Sequence, residues 1–142
     1  MTIEQKLQYI AETYFSEYGY IFENLYRADE RMETETFPTI VATIPTGGEV
    51  YWRNGRIYDR ENLLLGFFDL VPHDANGEDS ATAYNKMKQL GFRFIQKMNE
   101  SRLFQYVSNW TYNIWCDRES NIATGVFFQV QVEDVGACVT DE

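Results

Sequence analysis

The run Tyr84-Asn85-Lys86-Met87-Lys88-Gln89-Leu90-Gly91-Phe92-Arg93-Phe94-Ile95-Gln96-Lys97-Met98 decides how the rest of this chain is read. Tyr84, Met87, Phe94, Ile95 and Met98, with Gly91 among them, fall on one stripe at helical spacing. The spacing predicts a helix over 79–100. It is preceded by the polar loop Val71-Pro72-His73-Asp74-Ala75-Asn76-Gly77-Glu78. A helix with one apolar face must lie on something, and the sequence on either side of it is strand-like. Asp79 or Ser80 suits the N-cap, where acids are also favoured by the helix dipole.

Before that helix the chain opens with a shorter one, over 2–18. Ile3, Leu7, Ile10 and Tyr14 form its stripe, widened by Ala11 and Phe15. Thr2 and Gln5 match a capping box, and Gly19 suits the position just past the end. Residues 20–26 read as an aromatic strand and 27–36 as a charged loop or mobile strand extension. Residues 37–45 are a β-branched strand ended by Pro45, followed by a turn through Thr46-Gly47-Gly48. Asn54-Gly55, set between residues 49–52 and 56–58, is a strong hairpin signal, because both central residues of a type I′ turn need positive φ. Residues 62–70 are nearly continuous in apolar side chains and predict a central strand covered on both faces.

After the long helix, 103–115 is a mixed stretch whose tail alternates through Trp110, Tyr112 and Ile114. A turn at 117–121 follows. In 122–132, Val126, Phe128, Val130 and Val132 recur at period two, as a half-buried antiparallel strand requires. From Glu133 the chain is polar, and a mobile, fraying tail is expected. The whole 142 residues predict one α+β domain: a mainly antiparallel sheet with two helices packed on one face.

The net charge of −10 argues against a phosphate backbone as partner. The densest basic run, Trp52-Arg53-Asn54-Gly55-Arg56, brackets the hairpin turn. No signal peptide and no apolar run of about 20 residues is visible, so a cytoplasmic protein without a membrane span is expected. Cys116 and Cys138 are then expected to be reduced, and they make no metal motif. Asn99 and Asn109 open glycosylation sequons that a cytosolic chain does not use.

Asp69, Asp74, Glu78 and Asp79 surround His73, the one histidine, and a carboxylate can orient a histidine as a base. No nucleophile motif accompanies them, and a loop that closes a strand and caps a helix explains the same residues. Asp74, Asn76 and Glu78 alternate like a calcium loop, but Gly77 is misplaced and Asn85 stands where the closing Glu belongs. No glycine-rich phosphate loop precedes a helix. No catalytic residue, metal or cofactor is therefore expected. The strand aromatics remain, and they cannot all face one core. Tyr51, Trp52, Tyr58, Trp110 and Tyr112 are the candidate interface, because Tyr and Trp are enriched where proteins meet.

Four pieces in order carry a family resemblance: the N-terminal helix; Phe37-Pro38-Thr39-Ile40-Val41 leading to the Asn54-Gly55 hairpin and Phe67-Phe68-Asp69; the helix 84–98; and the closing hairpin from Ile114-Trp115-Cys116-Asp117 to Thr124-Gly125-Val126-Phe127-Phe128. In element order and size the chain resembles the small tail-terminator and tail-completion proteins of tailed phages and prophages. The resemblance implies a non-enzymatic homo-oligomer, a ring at the head-proximal end of the tail tube that stops tube growth and joins tail to head. It implies tail-tube and head-connector proteins as partners, and a place first in the bacterial cytoplasm and then in the virion tail. The alternative from the residues themselves is a small aromatic-lined binding module for a peptide or small ligand.

Overall fold

A computed structural model describes residues 2–23, 38–45, 47–70, 77–116 and 123–134, and of residues 105–109, 115, 116, 123 and 134 the backbone alone. The fold is α+β. Helix α1 spans Ile3–Tyr14 and helix α2 spans Gly77–Glu100. Six strands form one sheet: β1 (Gly19–Glu23), β2 (Thr39–Thr43), β3 (Gly47–Arg53), β4 (Arg56–Leu70), β5 (Phe104–Cys116) and β6 (Ala123–Asp134). The order across the sheet is β1-β2-β4-β6-β5, with β3 paired to β4 beyond the end of β2. Only β1 and β2 run parallel; every other pair is antiparallel.

Helix α1 starts as its sequence dictates. The Gln5 amide donates to Thr2 Oγ1 at 3.2 Å, and the Thr2 amide donates to Gln5 Oε1 at 2.9 Å. Its end differs from expectation. The helix stops at Tyr14, four residues early, and Phe15 leaves helical geometry while its N–H still donates to the Ala11 carbonyl. The chain must turn there because Gly19 already belongs to β1, its N–H donating to the Pro38 carbonyl at 2.9 Å. Phe15 is buried against Phe94, whereas Tyr14, expected on the stripe, is exposed beneath Lys97.

Helix α2 buries Ala83, Met87, Leu90, Gly91, Phe94, Ile95 and Met98. It begins two residues before the expected start, so Asp79 and Ser80 lie in its first turn and not at the cap. Both helices pack on the same face of the sheet, over Ile40, Ala42, Leu63, Leu65, Phe67, Val126, Phe128, Val130 and Val132. On the other face Ile21, Val41 and Phe68 form a small second cluster with Phe127. Leu65–Phe68 are consequently all buried, as expected of a strand covered on both faces.

Three further expectations change. Gly47 and Gly48 are ladder residues of β3, not a turn, opposite Asn62 and Glu61. The two expected strands at 56–58 and 62–70 are one 15-residue strand. Alternation carries Arg60 to one face and Asp59 and Glu61 to the other, so the charged triplet does not interrupt the ladder. The chain does not fray at Glu133, which is 4% exposed and opposite Arg60. The segment 24–37, the His73 loop, the turn at 117–121 and Cys138 lie outside the described residues.

One buried group gives a stability test. The Tyr20 hydroxyl is buried and has no hydrogen-bond partner among the described residues. Burial first, then the charges of Glu4 and Glu12, push its phenol well above the ordinary value. An unfolded tyrosine ionises near pH ~10. Above that pH the unfolded chain has released a proton that the folded chain keeps, so this group's contribution to stability falls as pH rises. Tyr20→Phe is expected to be neutral at pH 7, or stabilising by up to about 1 kcal/mol, since an unpaired buried hydroxyl is removed. Its advantage over the parent should widen above pH ~10. Urea titrations at both pH values check this, and a clear loss at pH 7 would mean the hydroxyl is bonded.

Candidate functional site

The five candidate aromatics fall in two places. Tyr51, Trp52 and Tyr58 are on the β3–β4 hairpin, and Trp110 and Tyr112 are on β5.

The hairpin turns at Asn54 and Gly55, with φ of 52° and 76°, as a type I′ turn demands. Strand β6 joins β4 from Arg60 onward, so among the described residues 56–59 pair with β3 alone. The hairpin is therefore a two-stranded arm projecting past the sheet. Its faces differ. On one, the Tyr51 and Tyr58 rings stack at 5.1 Å and 11°. Arg60 lies over Tyr51, its guanidinium carbon 4.8 Å from the ring centre. The Tyr51 hydroxyl donates to Glu133 Oε1 at 2.6 Å, and Arg60 Nε sits 3.5 Å from Glu133 Oε2 as an ion pair. The hydrogen bond to Glu133 is the main cause that raises the Tyr51 phenol above its ordinary value. This face ties the arm to the last turn of the ladder on β6. Tyr51 and Tyr58 are half-buried fastenings, not free surface.

On the other face two large side chains stand in solvent. Trp52 is 71% exposed and Val50 68%. They sit opposite Ile57 and Asp59, and alternation places Ile57, Asp59 and Glu61 on the side where Leu63 enters the helix-covered core. Leu63 is buried in the helix-covered core, whereas Val50 and Trp52, further out along the hairpin, are exposed. Arg53 and Arg56 flank the tip, and neither has a hydrogen bond or ion pair among the described residues.

The second place is the edge strand β5. Trp110, Tyr112 and Ile114 alternate on the helix side of the sheet and are each between 38% and 47% exposed. Phe92, on the flank of α2, joins them: its ring is 6.1 Å from Trp110 and 5.8 Å from Phe128. Tyr112 packs on Phe128 at 5.9 Å, and its hydroxyl accepts from Lys88 at 3.2 Å. A register shift between Ser108 and Thr111 adds a residue to β5, a bulge of the kind that twists an edge away from further pairing.

A cleft of about 540 Å³ opens where the arm leaves the body. Ile3, Phe22, Ile44 and Pro45 supply its apolar wall, and Glu4 and Glu61 its carboxylates.

The sequence reading missed Val50, Ile114 and Phe92 as exposed partners, and Glu133 as a fastening. Val50 and Ile114 share the period-two alternation of Trp52 and Tyr112, which is a usable signal. Phe92 stood off the helix stripe, a second one. Glu133 gave none, because its partners are distant in sequence. Of the His73 cluster, Asp69, Glu78 and Asp79 are described. Asp69 Oδ1 accepts from the Leu70 amide, and the two acids sit in the first turn of α2. No group of three metal-ligating side chains occurs among the described residues, and none of their helices is long and apolar enough to cross a membrane. No protein-family model matches this chain, and no curated protein matches it.

Proposed function

We propose that this chain is a non-enzymatic structural subunit that works by associating with copies of itself and with neighbouring proteins. Following its resemblance to tail-terminator and tail-completion proteins, it forms a ring at the head-proximal end of a phage or prophage tail tube. There it ends the tube and meets the head connector. The observation that carries the reading is the projecting arm with its exposed Val50 and Trp52. A large aromatic held in water on a two-stranded arm is the kind of side chain that dominates protein interfaces. The exposed aromatic edge of β5 supplies a second surface of the same character.

Charge sets the conditions for assembly. Two subunits of charge −10 held ~30 Å apart repel by about 14 kcal/mol in unscreened water. With a Debye length of about 30 Å at ~0.01 M salt that falls to about 5 kcal/mol, and at ~0.15 M, where the length is about 8 Å, to a few tenths. Self-association should therefore strengthen steeply between these salt concentrations and then level off. A nucleic-acid binder would do the opposite, since its affinity falls as salt rises. Light scattering across protein concentration at both salts tests this. A strict monomer under all conditions, with no binding to added tail-tube protein, would remove the reading.

The cleft at the root of the arm favours a second reading, a binding module for a peptide or small ligand. It predicts a monomer at every salt concentration whose cleft is occupied by that ligand.

A further inference from the structure

We propose that two copies of this chain pair edge to edge through β3, antiparallel about a two-fold axis at Tyr51, so that their arms join in one sheet of order β4-β3-β3-β4. The proposal rests on the reading that the chain self-associates, and it names the contact. Three observations meet in it.

The first is an open edge. Strand β3 pairs with β4 on one side, and no strand among the described residues pairs with it on the other. Every residue of it but Tyr51 is exposed. The sheet's other two edges carry the usual protection: β1 is five residues long, and β5 has the register shift between Ser108 and Thr111. β3 keeps an unbroken register from Gly47 to Arg53 and contains no proline.

The second is the backbone that this edge offers. The turn at Asn54-Gly55 hydrogen-bonds Arg53 to Arg56, so the N–H and C=O groups of Arg53, Tyr51 and Glu49 point at β4. Those of Val50 and Trp52, in between, point outward. About an axis at Tyr51, Val50 of each copy meets Trp52 of the other, and both meetings are hydrogen-bonded pairs of an antiparallel ladder.

The third is the side-chain pattern. Glu49-Val50-Tyr51-Trp52-Arg53 reads acid, apolar, Tyr, apolar, base. About the same axis, Glu49 of each copy faces Arg53 of the other. Within its own arm Arg53 stands opposite Arg56, a like-charged pair, and neither Arg53 nor Glu49 has an ion pair among the described residues. Opposite charges directly across a ladder are favourable, and like charges are not. On the other face, Val50 and Trp52 of one copy lie against Trp52 and Val50 of the second, so the two most exposed of the large apolar side chains leave the water together. An axis at Val50 or at Trp52 would lose both ion pairs. A different chain would have to carry the inverse pattern, whereas a second copy carries it by symmetry, as an isologous contact requires. Closing a ring takes a further, heterologous contact elsewhere on the subunit.

Charge reversal and amide exchange test the pairing. Glu49→Arg alone and Arg53→Glu alone each set like charges across the axis, twice over by symmetry, and should weaken pairing about tenfold at ~0.15 M salt. Net charge cannot explain the loss in Glu49→Arg, which is less acidic than the parent and on that ground would associate more tightly. Carrying both reversals, the chain returns to the parent's net charge and should pair again. An equimolar mixture of the two single variants should form a mixed pair, since both of its ion pairs are then complementary. Sedimentation equilibrium reads all of these, with thermal midpoints confirming that each variant is folded. Hydrogen exchange on the parent, at low and at high protein concentration, needs no substitution. The Val50 and Trp52 amides should exchange about tenfold more slowly once the protein has associated. If the parent associates while those two amides stay as open as in the monomer, or while both single reversals associate as well as the parent, the pairing is wrong and the self-association reading stands. Failure of the double reversal to recover likewise overturns the pairing. A parent that is monomeric throughout overturns both.

Discussion

Phe94→Ala is expected to destabilise the protein by about 3–5 kcal/mol, the loss found when a fully buried aromatic leaves a cavity behind it. Phe94 has no exposed surface. Its ring lies 5.2 Å from Phe15 and meets Phe67 edge-on at 5.7 Å. It therefore joins three elements: α2, the exit of α1 and the central strand β4. The neighbours cannot easily collapse into the space. Phe67 is held by the β4 ladder on both sides, and Phe15 is fixed by the turn that leads into β1. At about 3 °C per kcal/mol for a domain of this size, the thermal midpoint should fall by about 9–15 °C. An unchanged midpoint would mean that α2 presents another face to the sheet.

That face was legible in the sequence because a helix repeats its signal. Met87, Phe94, Ile95 and Met98 vote together, and one ambiguous residue such as the half-buried Tyr84 does not change the outcome. The hairpin was legible for a different reason: Asn54 and Gly55 are the residues that tolerate positive φ, so two positions suffice. The errors share a cause. Stopping α1 at Tyr14, carrying β4 through Asp59-Arg60-Glu61 and holding Glu133 in the ladder are each decided by a partner far along the chain: Pro38 for Gly19, and Arg60 with Tyr51 for Glu133. Local propensity says nothing about such partners. The exposure of the hairpin aromatics was half legible in the same way. Alternation separates Tyr51 from Trp52, but which of the two stands in solvent is fixed only by the assembled sheet.

The second large effect is expected at a residue without a side chain. Gly125 of β6 sits opposite Phe68 of β4 and Trp115 of β5, in the middle of three paired strands. Its φ is not in the left-handed region, so an alanine there faces no dihedral penalty. Space is the obstacle. A Cβ would fall against the Phe67 carbonyl oxygen, within 2.8 Å of the Phe67 carbonyl carbon and 2.9 Å of the Phe68 Cα. These are backbone atoms of the central strand, and they can retreat only if β4 and β6 part. Gly91 of α2 offers the comparison. There a Cβ would meet the Phe128 ring, with Cζ at 2.8 Å. A ring can rotate, although Phe67, Phe92 and Tyr112 crowd this one. Gly91→Ala also gains about 1 kcal/mol of helix propensity, which offsets part of an overpacking cost of about 1–3 kcal/mol. Gly125→Ala gains no more than about 0.5–1 kcal/mol from the less flexible unfolded chain. Its steric cost should reach or pass the upper end of the overpacking range, about 3 kcal/mol, because no side chain can give way. Urea unfolding of both variants should therefore rank Gly125→Ala as the more damaging, with Gly91→Ala close to neutral or mildly destabilised. The reverse order would place the close approach between α2 and Phe128, and not between the two central strands, as the tightest contact in the fold.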